Sequence, residues 1–239
     1  MASKTPLEVG VLLVDDAVQY TDIAPVDVLA MLTPEFVGML GPALAPLQSQ
    51  TVPMNISYIH ERGTGHVTLS AANAKLAITH SLTTAPAPDI LVIPGPAPTP
   101  VPRPAISAYI REAVGRGATV LSICTGALAT AGSGVLDGRT ATAPLVLGVL
   151  GQLRDAHPLV RWRGGRRWER SAGTGGAGDV WTSGAVFNGV DLVCAFMRAR
   201  FPDSRQLVDL MVEMAGVAGR PVEYGPEEAA LETAYASAG

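Results

Sequence analysis

Short runs of mainly apolar residues alternate along this chain with longer segments in which apolar residues recur every three or four positions. Continuous apolar runs are typical of strands that a parallel sheet buries on both faces. Core strands are predicted on this basis at residues 9–14, 56–60, 89–94 and 118–123. Helical spacing predicts the main helices at residues 23–32, 106–116, 187–200 and 204–215. The alternation of the two patterns indicates an α/β fold with a mostly parallel sheet between helices.

The second half of the chain continues the alternation less regularly. Residues 67–78 are predicted to form a short hairpin, and residues 145–153 a helix. Residues 159–162 and 167–169 are predicted to pair with each other, and residues 180–182 to return to the sheet.

No repeat or linker interrupts this pattern, so we predict a single domain over residues 9–218. A flexible N-terminus at residues 1–8 precedes it, and a tail at residues 219–239 follows it. The tail contains one amphipathic segment at residues 227–236. Because an open parallel sheet binds ligands at the carboxyl ends of its strands, the loops that follow the core strands are where we expect a site.

Cys124 ends the run at residues 118–123 and is followed by Thr-Gly and then by small, helix-tolerant residues. This order predicts a sharp strand-to-helix turn, which Gly126 allows because a small residue is needed two positions after the nucleophile. A helix N-terminus lowers a thiol pKa, so we expect Cys124 to be a reactive nucleophile. The alternative is a buried and inert cysteine, a common fate of free thiols.

Asp22 lies at the predicted start of the helix that follows the first strand, where Thr21 or Asp22 is the expected cap. One interpretation is a plain N-cap, a position that aspartate favours. The other is an acid/base residue of a site, because this loop and the Gly95-Pro96 loop converge with Cys124 at the same sheet edge.

Composition limits the possible partners. The 239 residues carry a net charge of −4, which disfavours nucleic acid as a partner. The two cysteines are too few for a disulfide framework and indicate a reducing compartment. The polar N-terminus lacks a secretion signal, and the apolar run at residues 186–197 is too short to span a membrane. We therefore predict a cytoplasmic protein without a membrane partner. The histidines show no metal-ligand spacing, and no metal, nucleotide or flavin cofactor is predicted.

Three other features are read as structural. The G-x-G-x-x-G at residues 173–178 precedes a strand, which contradicts a dinucleotide fingerprint and indicates a hairpin loop. The five arginines between residues 161 and 170, interleaved with tryptophans, are read as a solvated hairpin or a dimer face. Cys194 has apolar neighbours on a helix, so core packing is the prediction.

Several segments together resemble the DJ-1/PfpI superfamily, and within it the isonitrile hydratase (isocyanide hydratase) branch. The resemblance is carried, in the family's order, by Thr-Asp-Ile-Ala-Pro-Val-Asp-Val-Leu at residues 21–29, Asp-Ile-Leu-Val-Ile-Pro-Gly at 89–95, Ser-Ile-Cys-Thr-Gly-Ala at 122–127, Gly-Val-Leu-Asp-Gly-Arg-Thr-Ala-Thr at 134–142 and Trp-Thr-Ser-Gly at 181–184.

The resemblance implies a flavodoxin-like three-layer sandwich, a homodimer, and a small-molecule substrate. By position, Cys124 matches the family's nucleophile, Asp22 its acid, and Thr125 the residue that follows the nucleophile in that branch. The residues predicted to contact the substrate are Gly95, Pro96, Gly126 and Thr182.

Two departures from the family pattern bear on the reaction. Many relatives carry Pro-Gly-Gly where this chain has Pro94-Gly95-Pro96, and proline has no N–H to offer an oxyanion. Relatives often carry a histidine at the position of Pro144, so the base of an amidase or protease is missing. Acyl transfer depends on such donors and is therefore disfavoured.

Hydration of an isocyanide to an N-formamide needs a nucleophile and a proton donor, which Cys124 and Asp22 supply. The predicted function is therefore that of an isonitrile hydratase-like lyase. The alternative is a redox-sensing or non-catalytic dimeric DJ-1-like protein. A glyoxalase, deglycase or amidase ranks below both.

Overall fold

The computed structural model describes residues 5–70, 72–97, 103–145, 148–217 and 219–236. The strands are β1 (Leu7–Leu12), β2 (Ala17–Val18), β3 (Met54–Ile59), β4 (His66–Leu69), β5 (Ala74–Ala77), β6 (Ile90–Ile93), β7 (Thr119–Ser122), β8 (Thr140–Ala141), β9 (Arg161–Trp162), β10 (Trp168–Ser171) and β11 (Val180–Ser183). The helices are α1 (Tyr20–Ala30), α2 (Pro34–Met39), α3 (Pro104–Gly115), α4 (Gly126–Gly132), α5 (Val149–Ala156), α6 (Asn188–Arg200), α7 (Arg205–Met214) and α8 (Pro226–Ala236). Short 3₁₀ helices occupy Pro42–Gln50 and Pro202–Ser204.

The central sheet of the described chain has six strands in the order β10-β11-β7-β6-β1-β3. Each neighbouring pair is parallel except β10 and β11, which are antiparallel at one edge. The inner strand β6 is buried at all four positions, as expected for a parallel sheet covered on both faces. The predicted α/β class and mostly parallel sheet are confirmed.

Two separate cores lie on the two faces of this sheet. On one face, α1, α6 and α7 bury a cluster that includes Leu29, Phe196 and Met211. On the other, α3, α4 and α5 bury a cluster that includes Ile110 and Leu150. The sheet thus forms the middle layer of a three-layer sandwich, and apolar burial at about 25 cal/mol per Å² on both faces stabilises it.

The predicted hairpin at residues 67–78 is confirmed, because β4 and β5 pair antiparallel. The predicted pairing of residues 159–162 with 167–169 is wrong. The strand β9 pairs with β8, whereas β10 pairs with β11, where the Trp168 and Trp181 rings lie 5.4 Å apart. Proximity in sequence does not decide this pairing: Trp181 is buried, and Trp168 packs against it across β10 and β11.

The helix predicted at residues 145–153 begins at Val149, after Gly148 with φ of 67°, and residues 146–147 lie outside the described part of the chain. The G-x-G-x-x-G segment connects β10 to β11 as a loop, as predicted. The tail forms α8, and its preceding segment pairs with residues 165–167 through the backbone.

Three arginines of the arginine-rich segment form ion pairs with carboxylates, and the dimer face predicted for this segment stays a prediction. Arg167 is buried and makes two hydrogen bonds, of 2.7 and 2.6 Å, to the carboxylate of Glu228 in α8. Arg170 pairs with Asp179 at 2.8 Å. Arg166 lies 3.2 Å from Glu169. These pairs tie the tail and the β10–β11 loop to the sheet.

In the part of the chain that the structure describes, no helix is both long and apolar enough to cross a membrane.

Candidate active site

Cys124 sits in a strained turn between β7 and α4, at the carboxyl edge of the sheet. Its φ is +54°, a left-handed conformation that non-glycine residues rarely adopt and that costs about 1–3 kcal/mol. Its backbone N–H donates to Ser183 Oγ at 3.1 Å. A Cβ at Gly126 would overlap the carbonyl oxygen of Ile93, so only glycine permits the turn. The predicted sharp strand-to-helix turn at Cys124 is present, and the nucleophilic role of the thiol stays a prediction.

Asp22 lies inside the first turn of α1, whose N-cap is Gln19. The prediction that Thr21 or Asp22 caps this helix is therefore wrong, because the helix begins at Tyr20. The Asp22 side chain is buried and does not cap the helix. Its Oδ2 accepts a hydrogen bond from the backbone N–H of Gly95 at 3.0 Å. Its Oδ1 has no hydrogen-bond partner among the described residues and is available for a proton.

Gly95 brings the acid and the elbow together. A Cβ at Gly95 would overlap Thr125 Oγ1 and would lie 2.6 Å from Asp22 Oδ2 and 3.1 Å from the Thr125 nitrogen. Thr125 Oγ1 donates to the carbonyl of Pro96 at 2.7 Å. The loop after β6 therefore uses its N–H to hold the carboxyl group and its carbonyl to hold the threonine. Four of the predicted site residues, Asp22, Gly95, Pro96 and Thr125, meet beside Cys124.

Burial controls the charge of both reactive groups. It raises the pKa of the Cys124 thiol to about 12, and the negative charge of nearby Asp22 adds to this, while hydrogen bonds from Thr125 oppose it. Burial also raises the pKa of Asp22 to about 7, against the lowering effect of the Gly95 N–H. The expectation that the helix N-terminus gives Cys124 a low pKa is wrong, because desolvation outweighs it.

Near neutral pH the Cys124 thiol therefore keeps its proton, whereas Asp22 changes between its protonated and ionised forms. A carboxylate whose pKa is close to the working pH can take the thiol proton and return it.

Thr182 and Ser183 end β11 next to the elbow. Thr182 is buried, and its Oγ1 accepts the Thr142 N–H at 2.8 Å, which joins the segment after β8 to the sheet. Contact between Thr182 and a substrate stays a prediction. Ser183 is not among the predicted site residues, although the Trp-Thr-Ser-Gly segment that contains it carries part of the resemblance.

The position where relatives often carry a histidine is Pro144, whose carbonyl accepts the N–H of Leu150. His60 is buried away from this site, with Nδ1 accepting the Arg62 N–H and Nε2 3.5 Å from Asp16. Among the described residues, no group of three or more histidines, cysteines or carboxylates is placed to hold a metal ion.

The structure is a mostly parallel α/β sandwich with a strained cysteine at the end of a central strand and a buried carboxyl group nearby. These features define a class of α/β proteins that carry a cysteine at a sharp strand-to-helix turn. The sequence profile of the DJ-1/PfpI family matches residues 9–158, well over half of the chain. The chain belongs to the DJ-1/PfpI family. No curated protein matches the sequence.

Solved structures with this fold extend the comparison. A ThiJ/PfpI family protein from Pseudomonas syringae is 14% identical with a TM-score of 0.66, over 97% of this chain and 88% of that one. DJ-1beta of Drosophila melanogaster is 13% identical with a TM-score of 0.63, over 90% and 100%. An AraC family transcriptional regulator from Pseudomonas putida is 16% identical with a TM-score of 0.63, over 88% and 100%. At this identity the likeness shows the fold alone.

Substitution of Gly95 tests the packing of the site. Gly95→Ala is expected to lower the free energy of unfolding by about 2 kcal/mol, and Tm by about 4–8 °C, because its methyl group overlaps Thr125 and Asp22. Gly151→Ala in α5 is the matched control, since its Cβ meets nothing within 4 Å. Equal Tm values for the two variants, measured by calorimetry, would contradict this account of the site.

The raised pKa of Asp22 predicts a pH dependence of stability. Because the folded state binds this proton more tightly than the unfolded state, the stabilisation is complete below pH 4 and is lost as pH rises through 7. The loss is about 4 kcal/mol over that window. Denaturant unfolding of wild type and Asp22→Asn at several pH values measures it, and the variant should lack this decline. Parallel curves would show that folding does not raise the pKa of Asp22.

Proposed function

We propose that this protein hydrates an isocyanide, R–N≡C, to the N-formamide R–NH–CHO, with Cys124 as the nucleophile and Asp22 as the acid and base. The observation that carries the proposal is the buried Asp22 carboxyl group, with a pKa of about 7 and one free oxygen, beside a neutral thiol. The family includes both enzymes and non-enzymes, so the reaction is inferred from the site.

The first half of the reaction moves the thiol proton to Asp22 and then to the substrate. Asp22 takes the proton of the Cys124 thiol, and the sulfur attacks the terminal carbon of the isocyanide. That carbon then receives the proton from Asp22, which gives the thioimidate R–N=CH–S–Cys124. Moving the proton within the pair avoids a free thiolate, which burial disfavours.

The second half releases the product. Asp22 accepts a proton from a water molecule while the oxygen of that water bonds to the thioimidate carbon. Asp22 then passes this proton to the thioimidate nitrogen. The C–S bond breaks, the hydroxyl proton returns to the pair, and R–NH–CHO leaves. One carboxyl group alternating between base and acid is sufficient for both halves.

The hydrogen bonds of the site disfavour acyl transfer. An amidase or protease needs donors aimed at a developing oxyanion. Here the Gly95 N–H is already donated to Asp22, the Cys124 N–H is donated to Ser183, and Pro96 has no N–H. The first attack on an isocyanide makes no oxyanion, so it tolerates this arrangement.

The redox-sensing alternative is disfavoured by the same thiol pKa. Sensor cysteines are low-pKa, accessible thiolates. Cys124 is buried, with a thiol pKa of about 12.

The homodimer implied by the resemblance stays part of the proposal. Tyr20 and Phe187 are exposed at the starts of α1 and α6, which is consistent with a partner there.

Removal of either reactive group is expected to abolish turnover. With an aryl isocyanide, Cys124→Ala should lose all detectable formamide production, measured by absorbance. Asp22→Asn should fall about 10²–10⁴-fold, because it can neither take nor return the proton. Cys194→Ala, the other buried thiol, is the control and should keep its rate. Equal rates for wild type and Cys124→Ala would remove the nucleophile from the proposal.

The pH profile of kcat/KM tests whether Asp22 accepts the proton of the Cys124 thiol. Below pH 7 the Asp22 carboxyl group holds a proton and cannot accept the one on the thiol, so kcat/KM should rise with pH and level off above about 7. In Asp22→Asn the residual rate should lack this inflection. An inflection that persists in the variant would assign it to another group.

A further inference from the structure

A cavity of about 500 Å³ opens next to the candidate site, between α3, α4 and α5 at the carboxyl end of β1. Its described lining is mainly apolar and includes Val14, Pro96, Ile106, Leu128 and Leu153. A volume of this size and character is typical of sites for small organic ligands. Neither Cys124 nor Asp22 is among the residues that line it, so the site described above does not account for the cavity.

Two elements that line the cavity also contact Thr125, the residue that follows the cysteine. Pro96 lines the cavity, and its carbonyl holds the hydroxyl group of Thr125. Leu128 and Ala129, which also line it, lie one turn further along the helix, and the Leu128 N–H donates to the Thr125 carbonyl at 3.0 Å. One helical turn is about 5.4 Å, a distance that the body of a small substrate spans.

Among the described lining residues, Arg103 has its charge paired within the protein. Arg103 pairs with Asp15 at 2.6 Å and with Glu61 at 3.0 Å, so its charge is satisfied within the protein. Ion pairs of this kind give an anionic ligand little to bind, whereas the apolar walls favour a neutral organic group.

We propose that this cavity receives the organic group of the isocyanide, and that the substrate is therefore a bulky aryl or branched-alkyl isocyanide. This inference rests on the proposed function. A methyl group would leave most of the volume unused, whereas an aromatic ring against Pro96 and Leu128 removes apolar surface of both partners from water.

The test is the ratio of kcat/KM for 4-nitrophenyl isocyanide to kcat/KM for methyl isocyanide. Leu128→Trp places an indole ring at the cavity wall nearest Thr125 and should lower this ratio at least tenfold relative to wild type. Ala129→Leu is a milder second variant that should lower it in the same direction. Met39→Trp, at an exposed methionine of α2, is the control and should keep the wild-type ratio. The ratio is independent of the fraction of each variant that folds.

A ratio that stays within twofold of wild type in both cavity variants, or that falls equally in Met39→Trp, would overturn the assignment of the cavity while leaving isocyanide hydration intact.

A binding measurement separates this outcome from failure of the proposed function. N-(4-nitrophenyl)formamide, the expected product, is titrated by calorimetry into Cys124→Ala and into Cys124→Ala with Leu128→Trp. Binding that weakens at least tenfold in the double variant supports the cavity as an organic-group site even where no isocyanide is hydrated. Equal affinity in the two proteins, or none in either, overturns it.

Discussion

The burial of one carboxyl group next to one thiol is the constraint on which the rest of the site depends. Asp22 is removed from water by the packing of α1 against the sheet, and a single N–H, from Gly95, compensates only part of the cost. The carboxyl group therefore holds its proton up to about neutral pH. The same burial raises the pKa of the Cys124 thiol to about 12, so the thiol is neutral at the pH where Asp22 titrates.

The two-sided architecture makes this burial possible. Asp22 belongs to a helix on one face of the sheet, while α4, which follows Cys124, belongs to the other face. The two groups meet only where the sheet ends, and the loop after β6 lies between them. Glycine is required at position 95 because Thr125 and Asp22 occupy the space that a Cβ atom would need. A departure from the common Pro-Gly-Gly pattern is tolerated because this loop contributes a carbonyl, from Pro96, rather than a second N–H.

The strained cysteine adds a second constraint. A left-handed conformation at Cys124 is maintained because the surrounding contacts, including the bond to Ser183 and the close approach of Gly126 to β6, leave no room for relaxation. Strain at the nucleophile, protonation of the acid and an apolar cavity one turn away all arise at the same sheet edge. Chemistry that needs a proton and a nucleophile, but no oxyanion donors, fits this combination.

The amino-acid sequence by itself determined the parallel sheet, the order of its helices, the cysteine turn and the convergence of Asp22, Gly95 and Thr125. These follow from local periodicity, from glycine positions and from the rule that strand ends share one edge. Only the tertiary structure decided that β10 pairs with β11, that Asp22 is buried rather than a cap, and that the thiol pKa rises rather than falls. Strand pairing and desolvation depend on residues far apart in the chain, and no local pattern records how much water is excluded when they meet.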